Sequence, residues 1–391
     1  MEMAGGDQLV TSEPLQLVEM GLYPASWKQP QTAYTITLLE SYHLLSLQTH
    51  CSAEDFYTYL RRKTDNVAPK AVPDRYRELS NSAREFAYLR QCKRAGETPG
   101  KITARGSLTV RCPCCPQPGI NMRVNWKDRC GDYSYLDALF YSIDGNFRQS
   151  QRNKPMDKND VALSRGAGYF ADVDDFQEYA SKIGKPEPEP TTCHKFGAAG
   201  YGGHNGKVSG IIALACRHMF MLPGSIVDLN KREAYLYVDF AVVSGMQPYV
   251  GLRLVKQTYD IACQYLINFG RRLEHWKQLC LTLSSITTFN LPRTEGAIGL
   301  WHALAHQLLC RIFKSPEFMP GSGRYEGEGM ERIWAITNDV SARTKEMTSG
   351  HRHDVLNDVY SDLHVRRVLR MYDRFLTNCY GSERQEWSRI I

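Results

Sequence analysis

Leu139-Phe140-Tyr141-Ser142-Ile143-Asp144-Gly145-Asn146-Phe147 is a short apolar run that stops at an aspartate followed by a glycine. With Leu136 and Ala138 leading into it, the run has the length of a strand rather than of a buried helix. It therefore reads as a strand that delivers Asp144 to its own end with the carboxylate exposed. Strand-like runs return at 210–216, 234–243 and 252–259, the last stopping at Asp260 before a helix over about 261–279. Strands grouped in this way and followed by a helix indicate an α/β core.

Outward from this core the pattern changes on both sides. Residues 1–20 are polar and Gly-containing and read as a loose arm, and 21–110 read as a helical N-terminal region. Apolar residues at helical spacing run through 32–45, Ser52-Ala53-Glu54-Asp55 opens a second helix with an acidic first turn, and a third spans about 73–93. Pro113, Pro116, Pro118 and Gly119 break the chain near a boundary at about 95–120, and the α/β core is placed at 111–346. Within it, 148–220 read as a Cys/His-containing insert that includes the stiff Lys185-Pro186-Glu187-Pro188-Glu189-Pro190, and 270–320 read as a helical insert. A C-terminal helical tail occupies 347–391.

The chain has 391 residues, 42% hydrophobic and 23% charged, and a mean hydropathy of −0.42. These values fit a globular protein and exclude a membrane-embedded one. Neither a long apolar span nor a basic-then-apolar leader is present, so the twelve Cys read as reduced thiols available to metal. The net charge is +6, and residues 51–110 hold 12 Lys and Arg against 7 Asp and Glu. That is a modest footprint, as compatible with a solvated helical face as with a polyanionic partner.

Five groups of side chains are candidates to carry chemistry. Asp144, Asp260 and Glu328 lie at the ends of elements, where three carboxylates can hold two hard divalent cations through oxygen. Cys193, His194, His204, Cys216 and His218 supply the sulfur and nitrogen that zinc prefers. Cys112, Cys114, Cys115 and Cys130 form another cluster, read as unlike the usual two-residue-gap knuckle. His302, His306 and Cys310 recur four residues apart on one helical face and are weaker metal candidates. Arg343, Lys345, His351, Arg352, Arg366 and Arg367 are candidate phosphate contacts, against the alternative of an ordinary exposed helix.

The order of several strings resembles the Kyakuja-Dileera-Zisupton (KDZ) transposases over roughly residues 20–365. The carriers are Cys115-Pro116-Gln117-Pro118-Gly119-Ile120-Asn121, Ser142-Ile143-Asp144-Gly145-Asn146-Phe147, Cys216-Arg217-His218, Asp228-Leu229 with Tyr235 and Asp239, and Tyr259-Asp260-Ile261-Ala262-Cys263-Gln264. His302-Ala303-Leu304-Ala305-His306 with Cys310, Pro320-Gly321-Ser322-Gly323-Arg324, Gly327-Glu328-Gly329-Met330-Glu331-Arg332-Ile333-Trp334 and Gly350-His351-Arg352-His353-Asp354 complete the set. Residues 64–67 and 73–79 resemble the segment after the CxC cysteine cluster of fungal members, which implies that the chain begins inside or just after that cluster.

The resemblance implies a ribonuclease-H-like fold and a DDE-type DNA transposase using Mg²⁺ or Mn²⁺ on Asp144, Asp260 and a glutamate, Glu328 in preference to Glu331. Asp239 is the rival second aspartate, set aside because it falls inside the run at 234–243. Double-stranded DNA as partner (transposon ends and target), with room for a homo-oligomer, is what the same resemblance implies, and a nuclear location follows from that substrate; Zn²⁺ in the Cys/His insert and the lack of a membrane partner rest on the donor residues and on the lack of a long apolar span. The alternative is a domesticated or truncated transposase-derived protein that binds DNA without cutting it.

Overall fold

The computed structural model describes residues 12–101, 104–155, 157, 160–184, 206–230, 234–279 and 283–380, with no side-chain description beyond 373. The chain divides into two compact units, 1–93 and 94–391. The first contains α1 (Glu13–Glu19), β1 (Leu22–Pro24), β2 (Ala33–Thr35), α2 (Ile36–Thr49), α3 (Ala53–Thr64) and the start of α4 (Tyr76–Ala95). Thus a helix lies in the stretch read as a loose arm. Ser52 caps α3 by accepting from the Asp55 N–H at 3.0 Å, as its acidic first turn suggested. Tyr23, Leu39, Tyr42, Phe56, Leu79 and Phe86 form the core of this unit.

The second unit is mixed α/β. Its elements are β3 (Leu139–Asn146), α5 (Val173–Ile183), β4 (Gly210–Cys216), β5 (Val227–Leu229), α6 (Tyr235–Met246), β6 (Leu254–Tyr259), α7 (Ala262–Gln278), β7 (Arg293–Ala297), α8 (Leu300–Ala303), α9 (Leu308–Phe313), α10 (Gly329–Thr337), α11 (Ser341–Thr344) and α12 (Ser349–Tyr380). The sheet order is β5-β4-β3-β6-β7, with the β5–β4 and β4–β3 pairs antiparallel and the β3–β6 and β6–β7 pairs parallel. β4 lies within the stretch read as a Cys/His insert and β7 within that read as a helical insert.

The run 234–243 is not a strand. It is α6, whose residues from Tyr237 to Met246 are all buried. A continuous apolar run has no period that separates a buried strand from a buried helix. α6 packs against β4 and β5, and Phe240, Val243 and Met246 join Tyr141, Ile143, Leu214 and Tyr259 in the main core.

The other sheet face carries a polar ladder beside a small apolar cluster of Ala138, Phe140, Leu254 and Tyr325. Ser142 of β3 and Thr258 of β6 are opposite each other in register and hydrogen-bonded at 2.8 Å, and both reach the Tyr325 hydroxyl and the Gly327 carbonyl. Gly327 has φ +82°, and a Cβ there would lie 2.8 Å from the Thr258 methyl. Glycine is therefore required both by the left-handed backbone and by the close approach.

α12 braces the unit through buried polar contacts. Arg352 and His353 both bind the Asp228 carboxylate of β5, at 2.7 and 2.8 Å. Burial opposes ionisation of Asp228, but Arg352 and then His353 hold its carboxyl well below the usual range. Because the folded value is depressed, its contribution is present above the ordinary carboxylate range and is lost as pH falls below about 4. Asp228→Asn should destabilise the chain by about 3 kcal/mol, since the fully buried Arg352 loses its counter-charge. It should also flatten the acid limb of a stability–pH curve, as urea denaturation at a series of pH values would read out.

Candidate active site and cysteine-histidine groups

β3 and β6 run parallel, and Ile143 is opposite Tyr259 in their register. The next residue of each chain is Asp144 and Asp260. Residues at equal register on adjacent strands share a face, so the two carboxylates emerge together on the polar side with Ser142 and Thr258 beneath them. β3 continues past this level, pairing with β4 as far as Asn146, whereas β6 ends and the chain turns into α7. Asp144 therefore lies within its strand, two residues short of the end, and both acids are half-buried.

Glu328, Glu331 and Trp334 recur every third residue at the start of α10, which places them on one helix face. The Trp334 indole N–H donates to Asp144 Oδ2 at 2.6 Å, and the Gly145 N–H donates to Asp144 Oδ1 at 2.7 Å. Glu328 is 2% exposed; its Oε1 accepts from the Trp301 N–H at 2.8 Å and its Oε2 faces His302 Nδ1 at 3.1 Å. A Cβ on Gly299 would meet the Glu328 carboxylate at 2.5 Å, so the segment before α8 also has to be bare of a side chain there.

His302 Nδ1 faces a second and a third acid, Asp260 Oδ1 at 3.3 Å and Glu331 Oε1 at 3.9 Å. The Glu328 hydrogen bond, working against burial, and the charge of Asp260 push the imidazole up to about 9. Burial opposes ionisation of Glu328, yet the His302 and Trp301 contacts hold its carboxyl below the usual range. Burial pushes Asp260 up to about 6, with His302 opposing and Glu328 adding. Burial and the nearby Glu328 push Glu331 up to about 7. The cluster thus carries more negative charge than its single imidazolium offsets.

Oxygen donors so arranged suit a hard divalent cation, and one of them is short of a partner: Glu331 Oε2 is buried without a hydrogen bond. Among the described residues, donor atoms of Asp260, His302 and Glu331 lie within 4.8 Å of one another. Asp239, the rival aspartate, is elsewhere: it is 1% exposed on α6 and paired with Arg272 at 2.6 Å. His302 had been grouped by spacing with His306 and Cys310; the structure separates it from them. His306 and Cys310 instead meet Cys263, three residues past Asp260.

The two remaining cysteine clusters are also rearranged. Cys216 and His218 lie with Cys112 and Cys115, while Cys193, His194 and His204 fall outside the described residues. The two-residue gap between Cys112 and Cys115 was obscured by the intervening thiol, Cys114, which is exposed. Both cysteine-histidine groups have donor chemistry compatible with zinc.

Two of the basic candidates are corrected by their burial. Arg352 is committed to Asp228 and the Gln149 carbonyl, and Arg367 is buried against the Met219 carbonyl. A guanidinium spent inside the fold offers nothing to a phosphate. Arg366 pairs with Asp362 one turn earlier, and Arg343, Lys345 and His351 are half-buried.

This is an α/β protein whose central mixed sheet presents a carboxylate cluster on its polar face. The chain belongs to the Kyakuja-Dileera-Zisupton (KDZ) transposase family: the model described as Kyakuja-Dileera-Zisupton transposase matches residues 137–363, more than half of the chain. A second, described as a CxC2 like cysteine cluster associated with KDZ transposases, matches residues 4–68. Cys51 is the one cysteine within that matched segment. No curated protein and no solved structure matches the chain. Within the described residues, no helix is long and apolar enough to cross a membrane.

The site geometry predicts that Trp334→Phe leaves the fold intact but weakens Mn²⁺ binding. Loss of a hydrogen bond to a charged group corresponds to about 2 kcal/mol, or roughly 30-fold. Calorimetric titration with Mn²⁺ checks this, with Asp260→Asn expected to lose binding altogether.

Proposed function

We infer that the chain is a DDE-type DNA transposase domain with a ribonuclease-H-like core, cleaving phosphodiesters and transferring strands at transposon ends. The observation that carries the reading is that Asp144 and Asp260 each follow the last paired residues, Ile143 and Tyr259, of adjacent parallel strands, with Glu328 and Glu331 brought to Asp260 through His302 and Trp334 of α10 bound to Asp144. Family membership supports the same class of activity. The strand order β5-β4-β3-β6-β7, three antiparallel strands followed by two parallel ones, supports the fold assignment.

Asp144, Asp260, Glu328 and Glu331 would hold Mg²⁺ or Mn²⁺, which when bound activates the attacking oxygen and stabilises the leaving one. The remaining work belongs to positioning. Trp334 orients Asp144, the Trp301 N–H and His302 orient Glu328, and His302 Nδ1 holds a proton between Asp260 and Glu328. Tyr325, Ser142 and Thr258 keep the loop before α10 against the sheet, so that the acids stay in place without a ligand. Double-stranded DNA is the partner in this reading, and the nucleus is its location.

The test is nicking of duplex DNA in Mg²⁺ or Mn²⁺, beside an RNA–DNA hybrid as an alternative substrate. Duplex cleavage should fall by about 10²-fold or more in folded Asp144→Asn and Asp260→Asn proteins, the scale on which single electrostatic contributions to catalysis are lost. Preference for the hybrid would overturn the transposase reading. A folded wild-type chain that binds DNA but does not cut it would leave a transposase-derived binding protein.

A further inference from the structure

The group formed by Cys112, Cys115, Cys216 and His218 has no role in the acid site. Its members come from two distant stretches: a Cys-x₂-Cys turn in the Pro-rich segment, and a Cys-x-His pair at the end of β4. One ligand atom from each lies within 4.8 Å of all the others. Cys112 Sγ and Cys115 Sγ are 3.4 and 3.6 Å from His218 Nδ1. Zinc bonds of about 2.3 Å to sulfur and about 2.05 Å to nitrogen at tetrahedral angles give an S···N edge of about 3.6 Å. The three thiols are 4%, 3% and 1% exposed, while His218 is half-buried.

We propose that Cys112, Cys115, Cys216 and His218 form a closed structural zinc site that ties the Pro-rich segment at 112–121 to the end of β4. Three thiolates and one imidazole complete a tetrahedral shell, leaving no position for water or substrate, which is the pattern of structural rather than catalytic zinc. Its place in the sheet agrees. Cys216 is opposite Tyr141, near the start of β3, and Asp144 lies three residues further along that strand. At about 3.3 Å per residue the two centres are separated by roughly 10 Å along the strand.

The local backbone is already shaped for such a clamp. The Cys216 N–H donates to the Phe220 carbonyl, the Met219 N–H to the Cys216 carbonyl, and Met219 takes φ +64°, so the chain reverses directly after the Cys-x-His pair. Asn121 Nδ2 donates to the carbonyls of Pro113 and Cys115, and Gln117 Nε2 donates to that of Cys112, which closes the opposing turn. The competing account is a cluster of reduced thiols that merely fill the core. It predicts the same burial and no bound metal.

The experiment is elemental analysis of the full-length chain purified under reducing conditions, followed by cobalt substitution. Cys112→Ser and Cys115→Ser should each hold one zinc ion fewer per chain than the wild type. Cys114→Ser, which changes the exposed neighbour, should lose none. If either buried variant does not fold, the cobalt spectrum of Cys263→Ser decides, because that substitution removes a thiol from the separate Cys263, His306 and Cys310 group. Tetrahedral d–d bands with charge transfer from three thiolates should persist there. A wild-type chain without tightly bound zinc, a Cys112–Cys115 disulfide in the purified protein, or equal zinc in Cys115→Ser and wild type would each overturn the site.

Discussion

The alignment of β3 with β6 is the constraint on which the site depends. A parallel pair is held by evenly spaced backbone hydrogen bonds, and a slip of one residue would turn every side chain of one strand to the opposite face. The register that places Leu139 beside Val255 and Ile143 beside Tyr259 leaves Asp144 and Asp260 as the next residue of each chain. It is enforced from both faces. Tyr141, Ile143 and Tyr259 are buried against the apolar side, while Ser142 and Thr258 bond each other on the polar side. Shifting β6 by one residue would bury Thr258 in hydrocarbon and move Asp260 away from its partner.

That polar ladder links the sheet to the third acid. Tyr325 and the Gly327 carbonyl both end on Ser142 and Thr258, immediately before Glu328 begins α10. The acid is therefore located by backbone contacts to the same two strands that carry the aspartates. Further along, α12 holds β5 through Arg352 and His353, and holds the segment at 163–169 through Asp354 and Asn357. Arg352, His353 and Arg367, three of the basic residues of α12, are spent on such internal contacts.

How far the sequence could be read varied with the kind of signal. Asp144 and Asp260 were legible because each follows an apolar run at its stopping point. α6 was not, since a buried helix and a buried strand are equally continuous in hydrophobicity, and Asp239 could be placed only once its partner Arg272 was seen. Arg352 and Arg367 looked like surface charge because composition carries no burial information. Cys112 and Cys115 do have a recognisable spacing, masked by a third cysteine between them, but their meeting with Cys216 depends on tertiary structure. His302 was grouped with the wrong neighbours for a related reason. Helical periodicity assumed an unbroken helix, whereas α8 stops at Ala303 and α9 starts at Leu308.

The break between α8 and α9 explains why one short segment can serve two different centres. With the helix interrupted, His302 turns to the carboxylates while His306 turns to Cys263 and Cys310. Glu328 would be a costly buried charge without a cationic partner, and His302 together with the Trp301 N–H supplies it. Burial, with the charge of Glu328 added, makes Asp260 and Glu331 hold protons more tightly than free carboxylates do, and the imidazole they share with Glu328 opposes this only in part. A fold that only needed stability could have relieved this excess of negative charge with an arginine or an amide. Its persistence at the level where β6 ends is the electrostatic reason to read these acids as a cation-binding surface.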